Sequence, residues 1–280
     1  MIGKQVIAAY AKLNLALRVH GRRPDRFHEI VSLVQTIDLA DAVTVERIAS
    51  GVDITNDLGI APGEDLAARA AHLLLQEKGH REGMRITVKK NIPSGAGLGG
   101  GSSDAAVVLL AVDRLTPPTL PPDRLAAIAA RLGSDIPLFL TGGLARVAGR
   151  GERVTPIHPI REEQFVVLVP PVHCATAAVY DRFDSCRAGS NEGGLCLGEN
   201  DLERPALALY PALLPYAQVI NRLGADYSGM SGSGSAFFAA FTRFDRAAAA
   251  QKELTASFPE TSVYLCLATA AGSDCSLSVG

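Results

Sequence analysis

The chain has 280 residues, of which 48% are hydrophobic and 20% are charged, and its formal net charge is -2. This balance is ordinary for a globular protein of one or two domains, and it gives no reason to expect a nucleic acid or an anionic membrane as a partner. Any site for an anion must therefore be local.

The five cysteines are scattered, with no C-x-x-C pair, and their number is odd. We interpret them as reduced thiols, since a disulfide framework or a zinc site needs closer spacing. The six histidines form no H-E-x-x-H arrangement, so a metalloprotease site is not expected. The N-terminal residues contain no long apolar stretch, which predicts no signal peptide, no membrane span and a cytoplasmic location.

The first half of the chain mixes predicted strands and helices. Apolar residues alternate with polar ones over 11–19, which predicts a strand with Lys12 and Asn14 on its polar face. The same alternation predicts strands over 42–48 and 85–92. Helices are predicted over 65–79 with Gly79 at the end, over 102–115, which is apolar nearly all round, and over 123–133, where Gly133 ends the helix.

The second half continues the mixture. The predicted elements are strands over 165–171, 235–241 and 263–268, a helix over 245–254, a loop over 189–201 and a loosely ordered tail over 270–280. Because strands and helices do not alternate strictly, the pattern favours an α+β fold. Two prolines and a charge cluster over 155–163 predict a domain boundary there.

A dense glycine stretch follows the predicted strand over 85–92. Five glycines within 95–101 need a reason, because glycine loses more conformational freedom on folding than any other residue. A strand, then glycines, then an apolar helix is a layout that suits a phosphate, since a helix start presents unpaired N–H groups and partial positive charge. The alternative is a tight turn with Ser102 or Ser103 as the helix N-cap. Five glycines favour the anion site.

Three known phosphate loops do not fit this stretch. A Walker A loop needs a lysine after the glycines, and none is present. Gly95, Gly97 and Gly100 satisfy G-x-G-x-x-G, but a dinucleotide fold should continue with a second strand and an acidic residue about 20 positions on. Two helices and a proline-rich break follow instead. The partner motifs of a protein kinase, H-R-D and D-F-G, are absent.

The stretch PSGAGLGGGSSDAA (93–106) resembles the ATP loop of the GHMP kinases, the family of galactokinase, homoserine kinase and mevalonate kinase. Three more stretches fit the same family in the same order: AKLNLALRVHGRRPDRFHEI (11–30), GSDIPLFL (133–140) and MSGSGSAFFAAF (230–241). The resemblance therefore spans nearly the whole chain.

This resemblance implies a two-domain α+β fold with the active site in the cleft between the domains, here 1–158 and 159–280. It is greatest to a member of the non-mevalonate isoprenoid pathway, which implies ATP-dependent phosphorylation of the 2-hydroxyl of 4-diphosphocytidyl-2-C-methyl-D-erythritol. Mg²⁺ would offset the phosphate charge. This small molecule would be the partner, with no nucleic acid or membrane, and the protein would be a monomer or a homodimer.

The resemblance assigns ATP binding to the residues of the glycine stretch and the serines after it. These are Pro93, Ser94, Gly95, Ala96, Gly97, Leu98, Gly99, Gly100, Gly101, Ser102 and Ser103. The hydroxyls of Ser102 and Ser103 are the candidates for a Mg²⁺ ligand, and no resident metal site is assigned.

Lys12 and Asp135 are the catalytic pair that the resemblance implies. The lysine of A-K-x-N lies at the reacting hydroxyl in the family, where its charge stabilises the transferred phosphoryl group. The aspartate of G-x-D-x-P accepts or orients the proton of the acceptor hydroxyl. Taken alone, Lys12 would be a solvated strand residue, and Asp135 would be the N-cap of a turn that opens with Pro137.

Substrate binding is assigned to Asn14, Phe27, His28, Asp135 and Tyr180. The family member usually has Asp-Gly-Tyr-His around the cytosine, where an aromatic ring and a histidine hold the base. This chain has Phe27, without the tyrosine hydroxyl, and an arginine in place of the glycine. Tyr180 matches an aromatic that covers the other face of the base, although an ordinary helix-face aromatic is the alternative.

Three further features of the sequence have less defined roles. Asp65 replaces an asparagine that the family usually has near the adenine, the turn over 232–234 is expected to line the cleft, and Asn200 and Asp201 match a signature without assigned chemistry. Two other hypotheses remain: a sister GHMP kinase for homoserine, mevalonate or a sugar, and a regulator of the same fold without catalysis. The presence of both Lys12 and Asp135 argues against the regulator.

Overall fold

The computed structural model describes residues 4–61, 63–158, 162–186 and 194–270. Over these residues the first sheet has six strands around a long antiparallel hairpin. They are β1 (Lys4–Arg22), β2 (His28–Ile48), β3 (Val52–Asn56), β4 (Gly83–Lys89), β5 (Leu144–Gly149) and β6 (Arg153–Pro156). The order is β3-β4-β2-β5-β6, with β1 paired along β2. Only the β3–β4 pair is parallel among these described strands.

Four helices accompany this sheet: α1 (Leu66–Lys78), α2 (Gly100–Leu115), α3 (Pro122–Leu132) and α4 (Ile136–Thr141). Asp65 caps the start of α1 by accepting from the N–H groups of Ala67 and Ala68, and Gly79 ends it with φ 65°. The predicted helices over 65–79, 102–115 and 123–133 are confirmed. Helix α2 is buried along most of its length, as its apolar sequence predicts.

The second sheet contains the strands β7 (Gln164–Val169), β8 (Tyr227–Met230), β9 (Phe237–Phe241) and β10 (Ser262–Leu267). It is antiparallel in the order β10-β7-β9-β8. Its helices are α5 (Thr176–Cys186), α6 (Glu203–Leu209), α7 (Leu214–Ile220) and α8 (Phe244–Ser257). No helix within the described residues has both the length and the apolar character needed to cross a membrane. The predicted tail lies outside the described residues beyond position 270, and so does part of the predicted loop over 189–201.

Strand β1 differs from its prediction in one respect. It is a strand, but residues 11–19 are buried on both faces instead of one. Lys12 is only 5% exposed. A Cβ placed on Gly99 would lie 3.1 Å from the Lys12 Cγ, and one on Gly232 would lie 3.3 Å from its Nζ. Two glycine-containing turns therefore cover the face that the alternation predicts to be solvated.

The apolar core is continuous across the two sheets. One group of buried residues joins Ala11, Leu13 and Leu15 of β1 to strands of the second sheet, including Phe165 and Phe238. Each sheet also packs against its own helices. The two sheets are thus fixed against each other by a shared core, and the division at residue 158 stays a prediction.

Two turns meet where the sheets come together. We call residues 93–101 the glycine turn and residues 230–236 the serine turn. The N–H of Ala236 donates to the carbonyl of Ala96 at 3.1 Å, and the Ser231 Oγ donates to the carbonyl of Gly97 at 3.0 Å. Gly97 has φ 78°, and a Cβ built on it would lie 2.2 Å from the Ser231 carbonyl oxygen. Only glycine fits this approach.

The substitution Gly97→Ala tests this constraint. We expect it to lower the free energy of unfolding by about 3 kcal/mol or to prevent folding, because the methyl group would overlap the serine turn and φ is positive. Gly101→Ala is the matched control, since the atom nearest to its Cβ lies at 3.9 Å, and its effect should stay within about 0.5 kcal/mol. Urea unfolding measures both. Equal stability of the two variants would contradict the packing described.

Candidate active site

Two cavities lie on either side of the glycine turn. The first, which we call the loop cavity, has a volume of about 370 Å³ and is lined by the glycine turn and by residues near the start of α1. The second, the Lys12 cavity, has a volume of about 590 Å³ and lies against β1 and α5. Gly97 and Gly99 line both. A ligand in one cavity can therefore reach a ligand in the other across these two glycines.

The glycine turn leaves the start of α2 without a side-chain cap. Gly99 is the N-cap residue, with φ 75°, and within the described residues the helix start has no side-chain cap hydrogen bond. Ser102 and Ser103 lie inside the helix, so the alternative in which one of them is the N-cap is wrong. Of the eleven residues assigned to ATP, Ser103 alone does not line the loop cavity. The free end of α2 can thus bind an anion at the cavity.

A buried charge cluster ties both ends of the glycine turn together. Asp41 accepts from the N–H groups of Asn91 and Ile92, at 2.5 and 2.8 Å. The Lys90 Nζ donates to the same Asp41 and, at 2.6 Å, to Asp104 in α2. Burial raises the pKa of Asp104 to about 7, with the Asp41 charge adding to it and Lys90 opposing it. The sequence analysis missed this cluster, although a lysine and an aspartate flanking the turn were visible.

Lys12 is held on β1 by contacts to the turn and to its own strand. Its N–H donates to the carbonyl of Leu98 at 2.9 Å, and its Nζ donates to the Asn14 Oδ1. The Asn14 Nδ2 in turn donates to the Ser32 Oγ at 2.8 Å. Burial lowers the pKa of Lys12, and the charge of Asp135 partly offsets this. The ammonium group thus has a fixed position, and an anionic ligand would restore its charge balance.

Asp135 stands at the N-cap position of α4 but forms no side-chain cap bond there. The alternative role as a helix cap is therefore wrong for its carboxylate. Asp135 lines the Lys12 cavity together with Lys12 and Tyr180. Burial raises the pKa of the Tyr180 hydroxyl, and the negative charge of Asp135 raises it further. The structure thus brings the two residues assigned to catalysis into one cavity.

Aromatic residues line part of the Lys12 cavity. His28 and Tyr180 stack with ring centroids 4.7 Å apart, and the His28 Nε2 lies 2.9 Å from the Asp184 Oδ1. Phe27 is 48% exposed, and the Arg150 guanidinium lies 5.0 Å from its ring centroid. Because His28 and Tyr180 touch each other, a planar ligand fits against this pair or against Phe27, and not between the two stacked rings.

The serine turn closes the cavity near Lys12. Gly232 and Ser233 line it as expected, whereas Gly234 does not. The Asn200 Nδ2 donates to the carbonyls of Met230 and Gly232, each at 2.7 Å. Asn200 therefore holds the serine turn in place, which is a role that its sequence signature could not reveal. The neighbouring Asp201 pairs with Arg18.

Asp65 lines the loop cavity, but both of its carboxylate oxygens have partners. The Oδ1 caps α1, and the Oδ2 accepts from the Asn56 Nδ2 at 2.8 Å. The capping explains why aspartate is suited to this position. The Asn56 amide lies beside it in the same cavity.

Comparisons with known proteins agree with this geometry. Family models for the N-terminal and C-terminal domains of GHMP kinases match residues 65–143 and 189–260. The 4-diphosphocytidyl-2-C-methyl-D-erythritol kinase of Moorella thermoacetica is 36% identical over 92% of this chain and 97% of its own. That of Thiobacillus denitrificans is 40% identical over 87% of this chain and 88% of its own.

Solved structures give the same result. A crystal structure of 4-(cytidine 5'-diphospho)-2C-methyl-D-erythritol kinase has a TM-score of 0.80 at 36% identity, over 94% of this chain and 98% of that one. Homoserine kinase from Cytophaga hutchinsonii has a TM-score of 0.70 at 16% identity, over 96% and 95% of the two chains, which shows a shared fold. The predicted α+β fold is confirmed. Similarity of this extent means that the chain belongs to the GHMP kinases and, within them, to the family of the 4-diphosphocytidyl-2-C-methyl-D-erythritol kinases.

Proposed function

We propose that the protein transfers the γ-phosphoryl group of ATP to the 2-hydroxyl of 4-diphosphocytidyl-2-C-methyl-D-erythritol, giving the 2-phosphate and ADP. The reaction serves the non-mevalonate route to isoprenoid precursors. The observation that carries this proposal is the meeting of two cavities at Gly97 and Gly99. One has an open helix start for a triphosphate, and the other holds a buried lysine and an aspartate beside that point.

ATP occupies the loop cavity in this proposal, with its phosphates on the glycine turn and the start of α2. The uncapped N–H groups there donate to phosphate oxygens, and the helix dipole favours the negative charge. Because Gly97 and Gly99 line both cavities, the terminal phosphate would lie at the boundary with the Lys12 cavity.

The residues present also fit a Mg²⁺ ion that arrives with ATP. Ser102 and Asp104 both line the loop cavity, and the Asp104 Oδ1 is buried without a hydrogen-bond partner in the described structure. No group of three acidic, histidine or cysteine side chains gathers for a metal among the described residues. Such a site suits Mg²⁺, which keeps water and phosphate oxygens as most of its ligands. The ion would neutralise charge on the phosphates.

Lys12 and Asp135 act on the transferred group and on the acceptor hydroxyl. The hydroxyl oxygen bonds to the γ-phosphorus as the bond to ADP breaks, and the hydroxyl proton passes to the Asp135 carboxylate. Lys12 stabilises the charge that develops on the phosphoryl oxygens. Asn14 keeps the ammonium group directed by accepting one of its hydrogen bonds. The buried surroundings of the Lys12 ammonium group strengthen its attraction for the phosphoryl oxygens.

The cytosine of the acceptor lies against Phe27 and the His28–Tyr180 pair. The His28 Nε2 faces the Asp184 carboxylate and donates to it, and in the neutral form of the ring the Nδ1 is then an acceptor. The exocyclic amino group of cytosine is a donor, so the two are complementary. Stacking of a base on an aromatic ring contributes about 1–3 kcal/mol. The cytoplasmic location and the monomer or homodimer state stay predictions.

Substitution of the catalytic pair tests the proposed chemistry. Asp135→Asn should lower kcat by about 10²–10⁴, and Lys12→Met, which keeps the buried volume, by about 10²–10³. Both should leave the thermal unfolding midpoint near that of the unsubstituted protein. The rate is followed as ADP release from MgATP and the acceptor.

Asp181→Asn is the matched control, since Asp181 lines the same cavity but is largely exposed, with Arg22 at 3.9 Å. Its kcat should stay within about three-fold of the starting value. A folded Asp135→Asn variant that turns over as fast as this control would contradict the role assigned to Asp135.

The acceptor itself separates this proposal from a sister kinase. We expect ADP release with the cytidine ester but not with 2-C-methyl-D-erythritol 4-phosphate, homoserine or mevalonate, because the aromatic side of the cavity needs a base to bind. Tyr180→Ala should raise KM for the ester by about ten-fold, whereas Tyr180→Phe keeps the ring and the affinity. Turnover of homoserine or mevalonate in preference to the ester would overturn the assignment.

We expect ATP binding to change the protonation of the Asp104 carboxyl group. Since burial raises its pKa to about 7, the triphosphate of ATP bound without Mg²⁺ should raise this pKa further, and binding should take up protons between about pH 7 and 8.5. ATP affinity should therefore fall as the pH rises through this range. Calorimetry in Hepes and Tris buffers, which differ in their enthalpies of ionisation, measures the uptake, and Asp104→Asn should abolish it. Equal uptake by both proteins would contradict this linkage.

A further inference from the structure

An arginine occupies a backbone conformation suited to glycine at the edge of the Lys12 cavity. Among the described residues, Arg26 is the non-glycine residue with a positive φ, at 70°. The turn around it is closed by the Arg23 N–H donating to the Phe27 carbonyl at 2.7 Å and by the Arg26 N–H donating to the Arg23 carbonyl at 3.0 Å. Because side chains with a Cβ are disfavoured there, this arginine needs a compensating role.

Two more guanidinium groups lie near this turn. The Arg22 Nε is 3.4 Å from the Arg26 carbonyl oxygen, and the Arg150 guanidinium lies over the Phe27 ring. Arg22 has Asp181 and Asp184 at 3.9 and 3.8 Å. In the described part of the chain, neither the Arg26 nor the Arg150 guanidinium has a carboxylate within 4.0 Å, and the Arg150 Nη2 donates to the uncharged Ala130 carbonyl at 2.7 Å. Two guanidinium charges at this cavity are therefore not compensated by the protein.

The lining of the cavity carries an excess of positive charge. Four cationic residues line it against two carboxylates: Lys12, Arg22, Arg26 and Arg150 against Asp135 and Asp181. Lys12 is engaged at the transferred phosphoryl group in the proposed function. The remaining excess of positive charge lies at the turn beside Phe27. An anionic group in the acceptor itself would neutralise it.

We infer that Arg26 is a specificity-determining residue that binds the diphosphate of the acceptor, together with Arg150 and Arg22. This inference rests on the proposed function, which places the cytosine against Phe27, next to Arg26 in the chain. The diphosphate joins the cytidine to the alcohol that reacts, so it must cross the cavity between Phe27 and Lys12. Guanidinium forks match phosphate oxygens in shape and charge.

If Arg26 has this role, the substitution Arg26→Gly should raise the stability of the fold and weaken binding of the diphosphate. Glycine accepts a positive φ freely, so Arg26→Gly removes the backbone strain along with the guanidinium. Arg26→Ala removes the guanidinium and keeps the strain. A purely structural role for Arg26 would give no loss of diphosphate binding when the strain is relieved.

The experiment uses the whole protein. Calorimetry measures the binding of cytidine 5'-diphosphate and of cytidine, and ADP release measures the turnover of the complete acceptor, 4-diphosphocytidyl-2-C-methyl-D-erythritol. Arg26→Gly should weaken cytidine 5'-diphosphate about ten-fold, leave cytidine within about two-fold, and raise the unfolding midpoint by about 2 °C. KM for the acceptor should rise about ten-fold with a much smaller change in kcat. Arg26→Ala should show the same loss of affinity without the gain in midpoint.

Arg81→Ala is the control for a general loss of positive charge, because Arg81 is exposed and lies outside both cavities. It should bind cytidine 5'-diphosphate like the unsubstituted protein. Unchanged diphosphate affinity in Arg26→Gly, or an equal loss for cytidine, would overturn the inference while the proposed function stands. Absence of turnover and of diphosphate binding in the unsubstituted protein would instead refute the proposed function.

Discussion

The contact between the glycine turn and the serine turn is the constraint on which the site depends. At Gly97 the two backbones approach so closely that a Cβ would lie 2.2 Å from the Ser231 carbonyl oxygen. The same turn accepts the backbone N–H of Lys12 through the Leu98 carbonyl. An uncapped helix start, a buried lysine and the second sheet are thereby fixed relative to one another. Positioning of this kind is what phosphoryl transfer requires most.

Burial leaves two charged side chains at the site only partly stabilised. Burial lowers the pKa of Lys12, and burial raises that of Asp104 despite its contact with Lys90. Each shift marks a charge that the folded protein alone does not fully stabilise. Stability near the site is thus lower than the same backbone would allow, which is common where residues serve binding and catalysis.

The sequence predicted the local elements well, because strand alternation, the Gly79 helix end and the apolar run of α2 are local signals. The order of a strand, five glycines and an apolar helix was enough to predict a phosphate-binding turn on physical grounds. The prediction that Lys12 and Asp135 act together came from the family resemblance, because periodicity does not show that residues distant in sequence lie close in space. The burial of Lys12, the support from Asn200 and the Lys90 cluster depend on tertiary packing, which one strand or turn does not encode.

The presence of two cavities, which share only Gly97 and Gly99 among their described lining residues, has a kinetic consequence. In the proposed function the nucleotide and the alcohol occupy different cavities, so neither fills the place of the other and they can bind in either order. Both must be present together for the phosphoryl group to move directly between them, without a covalent intermediate on the protein. The shared apolar core of the two sheets holds this arrangement ready before either substrate binds, so little binding energy is consumed in assembling it.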